Sequence, residues 1–175
     1  MLFRSLVRAS EIGELQVSGP TAAIHYWNNR EKSRNTFHGR WTRTGDKYYC
    51  NAQGRYVHAG RADDMLKVSG IYVSPIEVET ALLSHPAVHE VAVIGKEDDV
   101  GLIKPLAFVV VRAGTNVDAT LAESLKQHVK DKIAPYKYPR WIEFLPELPK
   151  TATGKIQRFR LREMVQCASA GLPLR

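Results

Sequence analysis

Ser74-Pro75-Ile76-Glu77-Val78-Glu79-Thr80-Ala81-Leu82-Leu83-Ser84-His85-Pro86-Ala87-Val88-His89-Glu90-Val91-Ala92-Val93-Ile94 contains a helix start, a helix stop and a buried strand in succession. Ser74 and Glu77 have the spacing of a capping box, and Pro75 falls at the first helical position, where its missing N–H costs nothing. His85-Pro86 ends the helix near Ser84, because proline disfavours the helical conformation of the residue before it. Val88 to Ile94 is rich in β-branched residues and reads as a strand covered on both faces.

The pattern continues on the C-terminal side. Leu106 to Val111 is a second buried strand. Leu121, Leu125, Val129 and Ile133 recur at every fourth position and mark one face of a second helix, which Ala134-Pro135 ends. Trp141-Ile142-Glu143-Phe144 reads as a short strand, and Gln157 to about Val165 as a basic terminal helix. Strand, helix, strand, strand, helix, strand predicts an α+β domain, a short sheet packed by helices. On the N-terminal side, Glu14 to Val17 alternates. Asn51-Ala52-Gln53-Gly54 marks a turn between Lys47–Cys50 and Arg55–His58. Gly60 to Asp64 is a polar junction. The expected division is a β-rich segment 1–62, an α+β domain 63–166 and a tail 167–175.

With 175 residues, 44% hydrophobic and 25% charged, the composition is that of an ordinary globular protein. Apolar runs such as Pro105 to Val111 are too short to span a bilayer, so no membrane partner is expected. Met1 to Val7 is not followed by the apolar core and cleavage site of a signal peptide. The two cysteines, Cys50 and Cys167, have no paired spacing and read as free thiols of a reducing, cytoplasmic compartment. The net charge of +7 raises a nucleic-acid reading. Yet the basic residues are scattered from Arg4 to Arg175, with one concentration from Lys150 to Arg162, and no nucleic-acid-binding motif accompanies them. No nucleic acid is expected, and a basic binding module remains the alternative from a different class.

Pro149-Lys150-Thr151-Ala152-Thr153-Gly154-Lys155-Ile156 tests a phosphate-loop reading. The pattern Gly-x-x-x-x-Gly-Lys-Ser/Thr needs glycine where Pro149 stands and a hydroxyl where Ile156 stands. The reading fails, and Lys155 is expected to be a charge carried into an anionic site on a mobile loop. His85 and His89 have a metal-like spacing, but Pro86 breaks the helix between them and no further ligands complete a set, so no metal site is assigned. Trp27, Trp41 and Trp141 are expected in the core.

Several motifs occur in a fixed order: Gly13-Glu14-Leu15-Gln16-Val17-Ser18-Gly19, Tyr26-Trp27-Asn28, Trp41-Thr42-Arg43-Thr44-Gly45-Asp46, Gly60-Arg61-Ala62-Asp63-Asp64 through Gly70, and Pro149 to Arg158. Together they resemble the adenylate-forming superfamily of acyl-CoA ligases, peptide-synthetase adenylation domains and luciferases. The wording of Asp64 to Pro75 and of Ala134 to Phe144 narrows the resemblance to benzoate-CoA ligases and other aryl-CoA ligases. It implies an acid–thiol ligase using ATP, CoA and Mg2+ on benzoate or a related aromatic acid. It also implies Lys155 and Lys67 as catalytic residues, Asp46 and Arg61 at the nucleotide, Asp63 as a hinge, and Ser69 and Gly70 at CoA. A carboxylate such as Asp46 suits a ribose diol, and Arg61 offers a planar fork of donors. Tyr72 stands near where some acyl-CoA synthetases carry arginine, so no phosphate contact is assigned to it.

The resemblance covers nearly the whole chain but only the C-terminal part of such an enzyme. Its glycine- and threonine-rich phosphate loop, its magnesium-holding glutamate and its acyl pocket belong to the missing N-terminal domain. Met1-Leu2-Phe3-Arg4-Ser5 reads as an arbitrary start, and the chain is expected to be a fragment that is inactive alone. Another acyl-CoA synthetase, or an adenylation domain loading an amino acid, remains an alternative inside the superfamily.

Overall fold

The structure, a computed structural model, describes residues 7, 8 and 11–170. Met1 to Ser5 and the end of the expected tail lie outside the described residues. The chain forms two compact units, Met1–Asp63 and Asp64–Arg175.

The first unit is built around one long strand. β1 (Gly13–Val17) and β3 (Trp41–Cys50) pair antiparallel, with Val17 opposite Thr42. A short helix, α1 (Arg30–Thr36), leads into β2 (Phe37–His38), which pairs with the start of β3 along its other edge. β4 (Tyr56–Arg61) pairs with the rest of that edge, and Asp46 stands opposite Arg61. The β3–β4 turn forms where predicted. The Asn51 side chain accepts from the amides of Gln53 and Arg55 at 3.0 and 2.9 Å. α1 was not anticipated. Its seven residues lack an apolar stripe and none is buried. Its visible signal is the Asn29 cap, whose side chain accepts from the Lys32 amide at 3.0 Å.

In the second unit, β5 (Leu66–Val68) and β6 (Ile71–Val73) form a hairpin, followed directly by α2 (Pro75–Leu83). The Ser74 hydroxyl accepts from the Glu77 amide at 3.3 Å, as the cap requires. Glu77 itself turns to Lys137, at 2.6 Å. β7 (Val88–Glu97) and β8 (Ile103–Val111) pair antiparallel, and β9 (Trp141–Phe144) adds to β8 in parallel. α3 (Ala119–Lys132) starts at Asp118, whose carboxylate accepts from the Leu121 amide at 2.7 Å. α4 (Arg158–Ala170) runs past the predicted end near Val165.

Strand alternation divides the core into two layers. Val91, Val93, Ala107 and Val109 pack with Val78, Leu82, Leu125 and Val129 on the side of α2 and α3. Ala92, Ile94, Leu106 and Phe108 pack with Leu148 and Leu161 on the side of α4. A sheet buried on both faces needs apolar residues at successive positions, which is why these strands read as runs rather than as an alternating pattern. The sheet is thus held between two helical layers. That leaves the β5–β6 hairpin and the segment before α4 to carry exposed functional groups.

The tryptophans depart from expectation. Trp27 is 91% exposed and Trp41 is also exposed, while Trp141 packs half-buried against the α4-side cluster. Trp27 lies in the turn before α1, and the Arg40 guanidinium lies over the Trp41 ring at 5.0 Å.

Candidate functional site

Thr44-Gly45-Asp46 is shaped by local hydrogen bonds. The Thr44 hydroxyl donates to the Leu15 carbonyl at 2.9 Å and accepts from the Asp46 amide at 3.1 Å. Gly45 has φ +76, and a Cβ there would sit 3.2 Å from Nη2 of Arg61. Its carbonyl accepts from the Ala62 amide at 2.8 Å. The backbone conformation is what calls for glycine here. Arg61 Nη1 donates to Asp46 Oδ1 at 3.1 Å. Strand register is what brings the two together, since Asp46 stands opposite Arg61 across β3 and β4. The pair is largely exposed and contributes at most about 1 kcal/mol to stability. What it supplies is geometry: a carboxylate and a guanidinium held side by side.

Beside this pair, Arg43 grips Glu14 through two bonds, Nε to Oε1 at 2.9 Å and Nη2 to Oε2 at 2.6 Å. The hydrogen bond to Arg43 holds the Glu14 carboxyl below the ordinary glutamate range, against the opposing effect of burial. Stability from this fork is present above that range and is lost as pH falls from it through the lower value of the folded carboxyl. Glu14→Gln is expected to weaken the first unit by about 0.5–1 kcal/mol at neutral pH, since Arg43 is partly exposed. The difference should shrink toward zero in acid. Hydrogen exchange of the β3 amides at the two pH values checks it, and a gap that persists in acid would contradict the assignment.

Lys67, Ser69 and Gly70 lie together on the β5–β6 hairpin. Lys67 pairs in register with Tyr72, and Ser69 and Gly70 form the turn with φ +50 and +86. Two successive positive φ values are those of a tight type I′ hairpin. Lys67 is exposed, and Lys104 Nζ lies 3.4 Å from the Ser69 hydroxyl. The Gly70 backbone is open, with nothing within 4 Å of where a side chain would start.

Lys155 sits on a separate hairpin. Lys150 and Ile156 form an antiparallel bridge, and the Thr151 amide donates to the Lys155 carbonyl at 2.8 Å. The Lys155 amide donates back to the Thr151 hydroxyl at 3.1 Å, and that hydroxyl also meets Thr153 at 2.9 Å. Gly154, at φ +80, closes the turn. The loop expected to carry Lys155 is a hairpin closed by its own hydrogen bonds. The Lys155 side chain is exposed, and its ammonium has no partner among the described residues.

Several residues around this hairpin escaped sequence reasoning. Lys150 Nζ meets Glu90 Oε1 at 2.5 Å, and Arg158 Nη2 meets both carboxylate oxygens of Glu79 at 2.7 and 2.8 Å. Arg162 pairs with Asp64. A visible hint was Glu79 itself, an acidic residue between Val78 and Ala81 on the apolar side of α2. Asp63 is the last residue of the first unit. Among the described residues no group of three or more His, Cys, Asp or Glu side chains is placed to hold a metal ion. His85 lies edge-on to His128 at 5.0 Å, and His89 stands 3.9 Å from Glu90.

Residues 77–155 match the AMP-binding enzyme C-terminal domain family. Over that segment the chain carries the C-terminal domain of AMP-binding enzymes. Its relatives of high identity include aryl-CoA ligases. It is 63% identical over 157 residues to the benzoate–CoA ligase of Thauera aromatica, covering 90% of this chain and 30% of that protein. It is 57% identical over 159 residues to a 4-hydroxybenzoate–CoA/benzoate–CoA ligase of Rhodopseudomonas palustris, with the same coverage. Among solved structures, an anthranilate CoA ligase in complex with anthranoyl-AMP superposes with a TM-score of 0.85 at 55% identity, over 94% of this chain and 32% of that one. A benzoate CoA ligase from Burkholderia xenovorans gives 0.82 at 57% identity, over 90% and 31%. The chain spans about 30% of the length of the curated relatives it matches.

Proposed function

We propose that this chain is the C-terminal part of an ATP-dependent aryl-CoA ligase acting on benzoate or a related aromatic carboxylate. The observation that carries the reading is the Lys155 ammonium, exposed and without a partner among the described residues, on a self-bonded hairpin at the end of the segment that matches the AMP-binding enzyme C-terminal domain. In the first half-reaction a carboxylate oxygen attacks the α-phosphorus of ATP, and pyrophosphate leaves. Negative charge gathers on the attacking and phosphoryl oxygens, and Lys155 stabilises it once water is excluded. Asp46 accepts from the ribose hydroxyls, and Arg61, held beside it, donates to the nucleotide.

In the second half-reaction the CoA thiolate attacks the acyl carbon, and AMP leaves with the former carboxylate oxygen. Rotation about Asp63 exchanges the Lys155 hairpin for the Lys67 hairpin. Lys67 assists there, Ser69 contacts the CoA end, and the open backbone at Gly70 lets the pantetheine arm pass. Among the described residues no acidic cluster is placed to hold a magnesium ion. Its protein ligand is expected in the large N-terminal domain, outside the 175 residues, with the phosphate loop and acyl pocket. A reducing cytoplasm suits the two free thiols, Cys50 and Cys167. No helix among the described residues is long and apolar enough to cross a membrane.

The test is a chimera in which this chain replaces the corresponding C-terminal part of the Thauera aromatica relative. It should form benzoyl-CoA from benzoate, ATP and CoA, whereas the 175-residue polypeptide alone should form none. A chimera that folds but makes no adenylate, or robust thioester formation by the chain alone, would overturn the reading. Salt-dependent binding of the chain to generic duplex DNA would favour the nucleic-acid alternative instead.

A further inference from the structure

The Lys155 hairpin is ordered within itself, yet its own hydrogen bonds do not aim it. The aim comes from its two arms. The first arm carries Lys150, tied to Glu90 on β7. The second passes through Gln157, whose amide donates to the Pro149 carbonyl at 2.8 Å, into Arg158 at the start of α4. Arg158 is an unexpected residue there. A cation in the first helical turn faces the positive end of the helix dipole, and its Nε is buried without a partner. Both features cost stability. Its terminal nitrogen, however, donates to both oxygens of Glu79, which is only 8% exposed. Glu79 Oε1 also accepts from the Val93 amide at 2.8 Å, on the outer edge of β7. One buried carboxylate therefore joins α2, the central sheet and the base of the Lys155 hairpin.

We propose that Glu79 is a positioning residue for Lys155, clamping Arg158 so that the hairpin projects from the sheet in one direction. The proposal rests on the reading of Lys155 as the adenylation lysine. A purely structural Glu79 would serve Val93, and glutamine would serve it equally well, because its amide oxygen still accepts that bond. Glutamine removes the charge that holds Arg158. The substitution thus separates the two roles.

The experiment uses the chimera and measures its half-reactions separately: adenylate formation from benzoate and ATP, and thioester formation from preformed benzoyl adenylate and CoA. Glu79→Gln and Arg158→Gln should each slow adenylate formation roughly 10- to 100-fold, as expected for a misplaced catalytic group. The thioester step should be unchanged, and the double variant should be no slower than either single one. In the 175-residue chain, Glu79→Gln should also speed hydrogen exchange at the Lys155 and Gly154 amides. Equal losses in both half-reactions, additive losses, or no loss in adenylation would overturn the proposal. If Glu79→Gln fails to fold, Arg158→Gln leaves Glu79 on Val93 and gives the same readout. Lys155→Ala serves as the reference. If it abolishes adenylation while Glu79→Gln does not, the clamp is wrong and the reading of Lys155 stands. If Lys155→Ala leaves adenylation intact, the reading itself fails and the clamp fails with it.

Discussion

Lys155→Ala in the chimera is expected to lower adenylate formation by about 100- to 1,000-fold, the loss typical of removing one preorganised group that faces developing negative charge. Thioester formation from preformed adenylate should continue, because the Lys67 hairpin, not the Lys155 hairpin, is assigned to that step. The fold should be untouched. Lys155 is exposed, its ammonium holds no partner among the described residues, and alanine keeps the backbone bonds to Thr151. Pyrophosphate release and acyl transfer, measured separately with circular dichroism as the folding control, check the result. A similar loss in both steps would point to a general defect and would remove Lys155 from its role.

Phe108→Ala should have the largest effect on stability, about 3–5 kcal/mol. Phe108 lies on β8 with no exposure and is the largest fully buried side chain, packed with Ile94, Leu106 and Leu161. Its removal leaves a cavity between the sheet and α4, and α4 begins at the end of the Lys155 hairpin. A loss of that size takes much of the net stability of an ordinary domain, about 5–15 kcal/mol. Denaturant titration of the 175-residue chain would measure it, and a shift below about 1 kcal/mol would mean that α4 does not seal this layer. Weaker adenylation in the chimera should accompany it, since Arg158 moves with the helix.

The second unit was legible wherever a signal is local. Ser74 and Pro75 open α2, His85-Pro86 closes it, and the β-branched runs became β7 and β8, longer than predicted at the ends that meet in their hairpin. The four-residue repeat from Leu121 to Ile133 matched α3, with Leu125 and Val129 fully buried. The first unit was less legible. α1 buries nothing and so leaves no periodic trace. Trp27 and Trp41 were expected inside because large aromatic residues usually are, but both are exposed.

The same division holds for the candidate site. Motif order placed Asp46, Arg61, Lys67, Gly70 and Lys155 on the page without coordinates, and Gly154 and Gly70 occupy turns whose positive φ values explain the glycines. Helix caps, turn residues and strand runs act between neighbours, so the order of residues was enough to determine them. The tertiary structure alone decided which charges meet. Arg61 takes Asp46 through strand register, and Arg158 takes Glu79 from 79 positions away. Such pairings depend on where folding brings distant side chains, and their energies follow distance and burial, neither of which is written in the local sequence.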